Sequence, residues 1–104
     1  MDMIMQRNEI LKKAKSKING DRHKDYGEAY ENHNNIARLW SVILQKEITP
    51  EQVYQCMIAV KLGRLIHSPN HEDSAIDICG YGALLGESDG KSWDTYKDAN
   101  DVST

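Results

Sequence analysis

The sequence predicts a small all-α protein, a four-helix bundle that is completed by oligomerisation. Apolar residues recur at helical spacing in four segments, and no segment shows the apolar–polar alternation that is typical of a β-strand. The last two predicted helices are apolar on every side, which is more apolar surface than one small bundle buries. We therefore expect a homodimer or a higher oligomer.

One domain is expected to account for most of the chain. A length of 104 residues with 39% hydrophobic residues is enough for a single core. We place this helical domain at residues 1–87. Residues 88–104 form a polar C-terminal tail, in which Trp93 and Tyr96 are candidates for docking onto the domain.

The first half of the chain predicts two amphipathic helices. The first covers residues 2–18, where an apolar stripe is flanked by lysines on a solvated basic face. Gly20 ends this helix, since glycine suits the left-handed conformation that often follows a helix. The second helix is expected over residues 28–45, with a stripe that faces a core. That stripe consists of Ile36, Leu39, Trp40 and Ile43.

A capping signal marks the start of the third helix. Thr49 is placed as the N-cap, Pro50 at the first helical position and Gln52 at the third, which together predict a capping box. Because this helix is apolar all round, we expect it to be central in the bundle. Pro69 ends it, since proline disfavours helical geometry in the residue before it. Asn70 is the expected cap of the last helix.

Composition argues against several classes of function. The net charge is −3 and there is no run of Lys or Arg, which argues against a nucleic acid polymer as partner. No apolar run approaches the ~20 residues of a membrane span, and the first residues do not resemble a signal peptide, so we expect a cytoplasmic protein. The histidines form no HExxH motif, and we do not expect a zinc site. Cys56 and Cys79 are expected to be small core residues.

Two pairs of charges lie in the most apolar part of the chain. Lys61 and Arg64 are three residues apart on the third helix, and Asp73 and Asp77 are four apart on the fourth. Each pair shares a helix face and can converge on one point. Because buried charge is costly unless it is partnered, the pairs either neutralise each other or bind a ligand.

The polar segment around residues 21–31 offers a second group of candidates. Arg22 and Tyr26 lie in a short loop, which is either a surface loop or one that faces a ligand. Glu28 and Glu31 are three apart at the start of the second helix. Such a pair favours a divalent cation, but the helix macrodipole also favours acidic residues in a first turn.

These residues together resemble a known family. The ordered set resembles a small phage-type family, the domain of unknown function 6378 group, over residues 10–87. That group resembles in turn the MazG-like, all-α nucleotide pyrophosphohydrolases. The motif set is Arg22-x-x-x-Tyr26-Gly27, Glu31-Asn32, Trp40, Thr49-Pro50-Glu51, Lys61-x-x-Arg64 and Asp73-x-x-x-Asp77-x-x-Gly80-Tyr81.

The MazG-like resemblance implies a magnesium site of four carboxylates, ExxE on one helix and ExxD on the next. Asp73 and Asp77 match the second motif with a spacing of four instead of three. The position of the first motif holds Lys61 and Arg64. Two metal-binding carboxylates are thus replaced by two cations that can bind phosphate directly.

Three functional hypotheses remain open. The first is a phage protein of the host cytoplasm that sequesters a nucleotide without hydrolysis or cofactor, a sponge for ligands such as cyclic or modified nucleotide immune signals. The second is a Mg²⁺-dependent nucleotide pyrophosphohydrolase with Asp77 as its candidate catalytic residue. The third is a structural interaction module. Candidate ligand-binding residues are Arg22, Tyr26, Asn32, Lys61, Arg64 and Tyr81, and candidate metal ligands are Glu28, Glu31, Asp73 and Asp77.

Overall fold

The computed structural model describes residues 5–20 and 29–88, and these residues form four helices and no strand. The predicted all-α bundle is therefore confirmed for this part of the chain. The loop at 21–28 and the tail from residue 89 onward lie outside the described residues. The helices are α1 at Arg7–Asn19, α2 at Ala29–Leu44, α3 at Pro50–His67 and α4 at Glu72–Ser88.

The central helix of the described bundle is α4 rather than α3. It packs against α3 along one side and against α1 along another, whereas α2 packs mainly on α3 and touches α4 less. The prediction that α3 is central is therefore wrong within one chain. Periodicity could not show this, because both helices are apolar all round.

The predicted capping box at the start of α3 is confirmed. The backbone N–H of Gln52 donates to the Thr49 hydroxyl at 3.2 Å, and the Thr49 N–H donates to the Gln52 side chain at 2.9 Å. Pro50 is buried at the first helical position. These bonds satisfy two of the free donors at this helix end, so α3 begins where the sequence predicts.

The cap of α4 is His71 rather than the predicted Asn70. The Ser74 N–H donates to His71 Nδ1 at 3.2 Å, and the buried Ser74 hydroxyl lies 2.7 Å from the same nitrogen. An imidazole nitrogen can therefore do here what an Asn oxygen does in the usual cap. The prediction is wrong by one residue, because a histidine cap has no strong sequence signature.

Gly20 follows α1 as expected but is not in the left-handed conformation. Its φ is −101°, so that part of the prediction is wrong. A Cβ at this position would lie 2.6 Å from the Ser16 carbonyl oxygen, which is too close for any side chain. Close approach to the preceding turn, and not a positive φ, explains the glycine.

The core of the described residues is small for the amount of apolar side chain present. Leu39 and Ile43, predicted to face a core, are 63% and 72% exposed, so the prediction is wrong for these two, while Ile36 and Trp40 are partly buried. Cys56, also predicted in the core, is exposed. The buried apolar residues are Ala14, Ala37, Val53, Tyr54 and Ile76, whereas the exposed large ones are Leu11, Leu39, Val42, Ile43, Leu44, Val60, Leu62 and Ile66.

Two helical glycines of α4 face different surroundings. A Cβ built at Gly80 would lie 3.2 Å from Cγ2 of Ile18, so the missing side chain lets α1 approach α4 closely. A Cβ built at Gly82 would meet nothing within 4 Å. Only the first glycine is explained by packing within the chain.

This difference in surroundings predicts that alanine at the two positions changes the free energy of unfolding by different amounts. Gly82→Ala should raise the free energy of unfolding by about 1 kcal/mol, since alanine is the better helix former. Gly80→Ala should gain clearly less, or lose stability, because the methyl group crowds Ile18. Urea unfolding followed by circular dichroism measures both. Equal stabilisation by the two changes would show that α1 does not pack closely at Gly80.

Candidate functional site

A cluster of charges lies where α1, α3 and α4 meet. Asp77 of α4 accepts hydrogen bonds from Lys17 of α1 at 2.7 Å and from Lys61 of α3 at 3.1 Å. Lys17 also pairs with Asp73 at 3.2 Å. Asp77 therefore ties both neighbouring helices to α4.

The degree of burial differs along this cluster. The side chains of Asp77 and Lys61 are only 17% and 20% exposed, whereas Lys17 and Asp73 are largely exposed. Exposed ion pairs contribute little to stability, while removing one partner of a shielded pair leaves an unpaired charge. The energetically important contact is therefore the one between Lys61 and Asp77.

The pairing shifts the pKa values of two groups. Partial burial alone would raise the pKa of Asp77, but the hydrogen bonds and charges of Lys17 and Lys61 outweigh it, so the pKa lies below its ordinary 3.8. The hydrogen bond to Asp77 raises the pKa of Lys17 above 10.5, against the opposing effect of burial. Lys17 and Asp77 are therefore both charged at neutral pH.

Sequence reasoning missed Lys17 and assigned it to a solvated basic face. The available signal was its spacing: Lys17 follows the buried Ala14 by three residues and therefore shares its helix face. Its neighbour Ile18 contacts Gly80, which brings the Lys17 ammonium group to Asp77. Four lysines occur in this helix, and their pattern alone does not single out this one.

Arg64 does not join the cluster. It is exposed on α3 and makes no ion pair with another described residue. Lys61 and Arg64 were expected to act together, but only Lys61 reaches the carboxylates.

The predicted magnesium ligands are not gathered within the described residues. Asp73 and Asp77 converge, but on the Lys17 ammonium group, and Glu31 lies exposed on α2. Within residues 5–20 and 29–88, no group of three or more His, Cys, Asp or Glu side chains could hold a metal ion. Since Mg²⁺ needs several oxygen ligands, this donor set does not fit one. Glu28 lies outside the described residues.

A cleft lined by aromatic side chains lies between α2, α3 and α4. Its volume is about 340 Å³, within the range of small-molecule sites. Two of the predicted ligand-binding residues, Asn32 and Tyr81, line it together. The remaining lining residues are His33, Ile36 and Trp40 of α2 and Val53 and Met57 of α3.

Ring contacts hold one wall of this cleft in place. His33 is buried, its Nδ1 lies 2.9 Å from the Ala29 carbonyl oxygen, and its ring lies 4.6 Å from that of Tyr54 and 5.9 Å from that of Tyr81. Such tilted and edge-to-face arrangements are favourable for aromatic pairs. The Tyr81 ring is therefore oriented before any ligand arrives.

The cleft and the charged cluster adjoin each other. Met57 precedes Lys61 by four residues, and Tyr81 follows Asp77 by four, so the two sites are about 6 Å apart along both helices. Tyr81 also lines a smaller pocket with Lys17 and Asp77. The structure therefore brings Asn32 and Tyr81 to one site and Lys61, Asp73 and Asp77 to its neighbour. Arg22 and Tyr26 lie outside the described residues and stay predictions.

The sequence of this helical domain matches a protein family. Residues 9–89 match the family model described as Domain of unknown function (DUF6378). The match covers most of the chain, so the chain belongs to this family, as its motifs predicted.

The chain is similar to two phage proteins. It is 44% identical over 77 residues to the "Gene 55 protein" of Mycobacterium phage L5, a match that covers 73% of this chain and 49% of that protein. It is 37% identical over 103 residues to the "Gene 55 protein" of Mycobacterium phage D29, covering 91% and 68%. The chain thus spans about half of the first relative's length.

These matches support a phage-type family but name no activity, and the relation to MazG-like enzymes remains a prediction. No solved structure matches the chain at a significant level. Within the described part of the chain, no helix is both long enough and apolar enough to cross a membrane.

The shared carboxylate predicts strong coupling between the two lysines. Lys61→Met should cost about 1 kcal/mol and the more exposed Lys17→Met less, because in each variant the other lysine still neutralises Asp77. The double variant should lose more than the sum, by about 1 kcal/mol, since Asp77 is then unpaired. Urea unfolding of the four proteins measures this cycle. Simple additivity would show that Asp77 does not hold both helices.

The pKa of Asp77 predicts how its contribution depends on pH. Because the folded-state pKa lies below 3.8, the stabilisation is fully present above that value and is lost as the pH falls through the folded pKa. The stability difference between the wild type and Asp77→Asn should therefore be constant above about pH 5 and shrink in stronger acid. Urea midpoints across the pH range measure it. A difference that grows in acid would contradict the assignment.

Proposed function

We propose that this protein binds a nucleotide and sequesters it without hydrolysis, holding the base in the cleft between α2, α3 and α4. The observation that supports this best is the meeting of Asn32, Trp40 and Tyr81 around one cleft. Each of the three supplies a different part of base recognition.

The two rings are suited to the flat face of a base. Stacking of a base on an aromatic side chain contributes about 1–3 kcal/mol and tolerates any base. Trp40 and Tyr81 come from different helices, so together they can cover a planar ligand from two directions. The apolar remainder of the lining excludes water from the base.

The amide of Asn32 is suited to the base edge. It offers two N–H donors and one carbonyl acceptor, which match the mixed donors and acceptors of a nucleobase. Asn32 is partly buried at the cleft, so such bonds form in a shielded environment. Asn35, three residues further along α2, is exposed and absent from the cleft lining.

The phosphate group is assigned to Arg64 rather than to the lysines. Lys17 and Lys61 are already neutralised by Asp73 and Asp77, and the four charges cancel. Arg64 makes no such pair among the described residues, and its planar guanidinium can bind a phosphate through two parallel hydrogen bonds. Arg22, which lies outside the described residues, stays a predicted second contact to the phosphate.

A Mg²⁺-dependent pyrophosphohydrolase is the alternative. One observation favours it: the Asp73 and Asp77 oxygens converge on a single cationic point, the Lys17 Nζ atom. A metal ion at that point would need further carboxylates, and Glu28 is the candidate outside the described residues. A purely structural interaction module is the second alternative, for which the Lys61–Asp77 pair suffices.

Binding is tested by thermal shift and calorimetry without Mg²⁺, against mono-, di-, tri- and cyclic nucleotides. We expect at least one to raise the melting temperature and to be recovered intact after denaturation. Asn32→Ala should weaken its Kd at least about tenfold, equivalent to ~1.4 kcal/mol, while Asn35→Ala should leave it unchanged. Arg64→Ala should weaken binding of phosphorylated ligands only, with the exposed Arg38→Ala as its control.

Two results would overturn this proposal. If no nucleotide shifts the melting temperature, the interaction-module alternative is favoured. If the nucleotide is hydrolysed only with Mg²⁺, and Asp77→Asn abolishes release of pyrophosphate, the protein is the alternative enzyme.

A further inference from the structure

Cationic residues lead away from the cleft along α3. Met57 lines the cleft, and Lys61 and Arg64 follow it at spacings of four and three, so the three residues share one face of the helix. Arg64 lies about 10 Å along the helix axis from Met57, a distance that a sugar and an extended arginine side chain span together. Three residues of α3 follow Arg64, and none of them is Lys or Arg. This face of α3 therefore ends with a single guanidinium group.

Acidic residues lead away from the cleft along α4. Tyr81 lines the cleft, and Asp77 and then Asp73 precede it at spacings of four, so they continue along the same side of the helix. The Asp73 side chain is 63% exposed and therefore repels an anion that comes near it. A chain of phosphates that extended from the cleft along the two helices would approach this carboxylate.

The charges between the cleft and Arg64 cancel. Lys17 and Lys61 pair with Asp73 and Asp77, so these two cations and two anions sum to zero. Arg64 makes no ion pair with another described residue. On these faces of α3 and α4, within the described part of the chain, Arg64 is therefore the one positive charge that no carboxylate balances.

The cleft itself suits the uncharged part of a nucleotide. Its lining, as far as the described residues form it, includes no Lys, Arg, Asp or Glu side chain. Its volume of about 340 Å³ is near the lower end of the range for small-molecule sites. The cleft therefore holds the base and sugar, and the phosphate lies outside it along the two helices.

We infer that the ligand of this cleft is a nucleotide with a single phosphate group, linear or cyclic, and not a nucleoside diphosphate or triphosphate. One guanidinium group binds one phosphate through two parallel hydrogen bonds. Each further phosphate adds negative charge that the described cations do not balance and that Asp73 repels. This inference rests on the proposed function and adds to it the number of phosphates.

The inference is tested by calorimetry on the full chain without Mg²⁺. The probes are the nucleoside, the monophosphate, the cyclic monophosphate and the triphosphate of adenine, guanine, cytosine and uracil. For the base that binds most tightly, one of the two monophosphates should bind at least about tenfold more tightly than both the nucleoside and the triphosphate. Arg64→Ala should remove the advantage over the nucleoside, and the exposed Arg38→Ala should keep it.

A second variant tests whether charge disfavours the longer phosphate chain. Asp73→Asn removes the exposed carboxylate and leaves the cluster with a net positive charge, so the triphosphate should bind about threefold more tightly than to the wild type. Glu47→Gln is the matched control, because it changes the net charge equally at an exposed position between α2 and α3. It should leave the triphosphate affinity unchanged. An Asp73→Asn variant with wild-type affinity for the triphosphate would contradict the electrostatic argument.

Three results with the wild type would overturn the inference. A triphosphate that binds as tightly as the monophosphate would show that the site balances more than one phosphate. A nucleoside that binds as tightly as its monophosphate would show that Arg64 contacts no phosphate. In both cases the cleft still binds a base. If no nucleoside or nucleotide binds, the proposed function fails together with the inference.

Discussion

The arrangement of this bundle depends on the carboxylate of Asp77. Three helices meet at it, and its two oxygens are bonded to lysines from the other two helices. Replacing such an ion pair by apolar residues of similar size is often neutral for stability, because desolvation offsets much of the gain from a shielded pair. A charge pair differs from apolar packing in one respect: it requires one particular alignment. Asp77 therefore fixes which turns of α1 and α3 lie beside α4. The geometry of the cleft between α2, α3 and α4 depends on that alignment.

The distribution of apolar residues has a different cause. The described helices leave more large apolar residues exposed than they bury, and those exposed residues lie mainly on α2 and α3. Burying a large apolar side chain stabilises a fold by about 1.5–3 kcal/mol. A marginally stable chain therefore gains no stability from side chains that it leaves exposed. Packing among the described residues therefore does not account for the apolar side chains of Leu39, Val60 and Ile66. The all-round apolarity of α3 did not indicate a central position, because one side of this helix is not covered by another described helix.

Local signals in the sequence predicted local structure well. Thr49 and Gln52 form the expected capping box because capping depends on residues three apart. Lys61 and Asp77 were recognised as unusual charges because their apolar surroundings are visible in the sequence. Lys17 was missed because its role depends on the packing of α1 against Gly80, a contact between residues more than sixty apart. Tyr81 and Asn32 were proposed from a family resemblance, and only the fold shows that they line one cleft with Trp40.

The geometry also bears on whether the protein binds a nucleotide without changing it or hydrolyses it. Phosphoryl transfer is accelerated by preorganised positive charge, usually metal ions, that stabilises the charge developing on the phosphate oxygens. In this cluster the lysines neutralise Asp73 and Asp77, and the described carboxylates do not form a metal-binding set. The resulting cluster is electrically balanced and lies next to an aromatic cleft. Binding needs little more than this, because stacking and amide hydrogen bonds act on the ground state of the ligand. Catalysis needs stronger interactions with the transition state than with the ground state, so the hydrolase alternative would require carboxylates beyond Asp73 and Asp77.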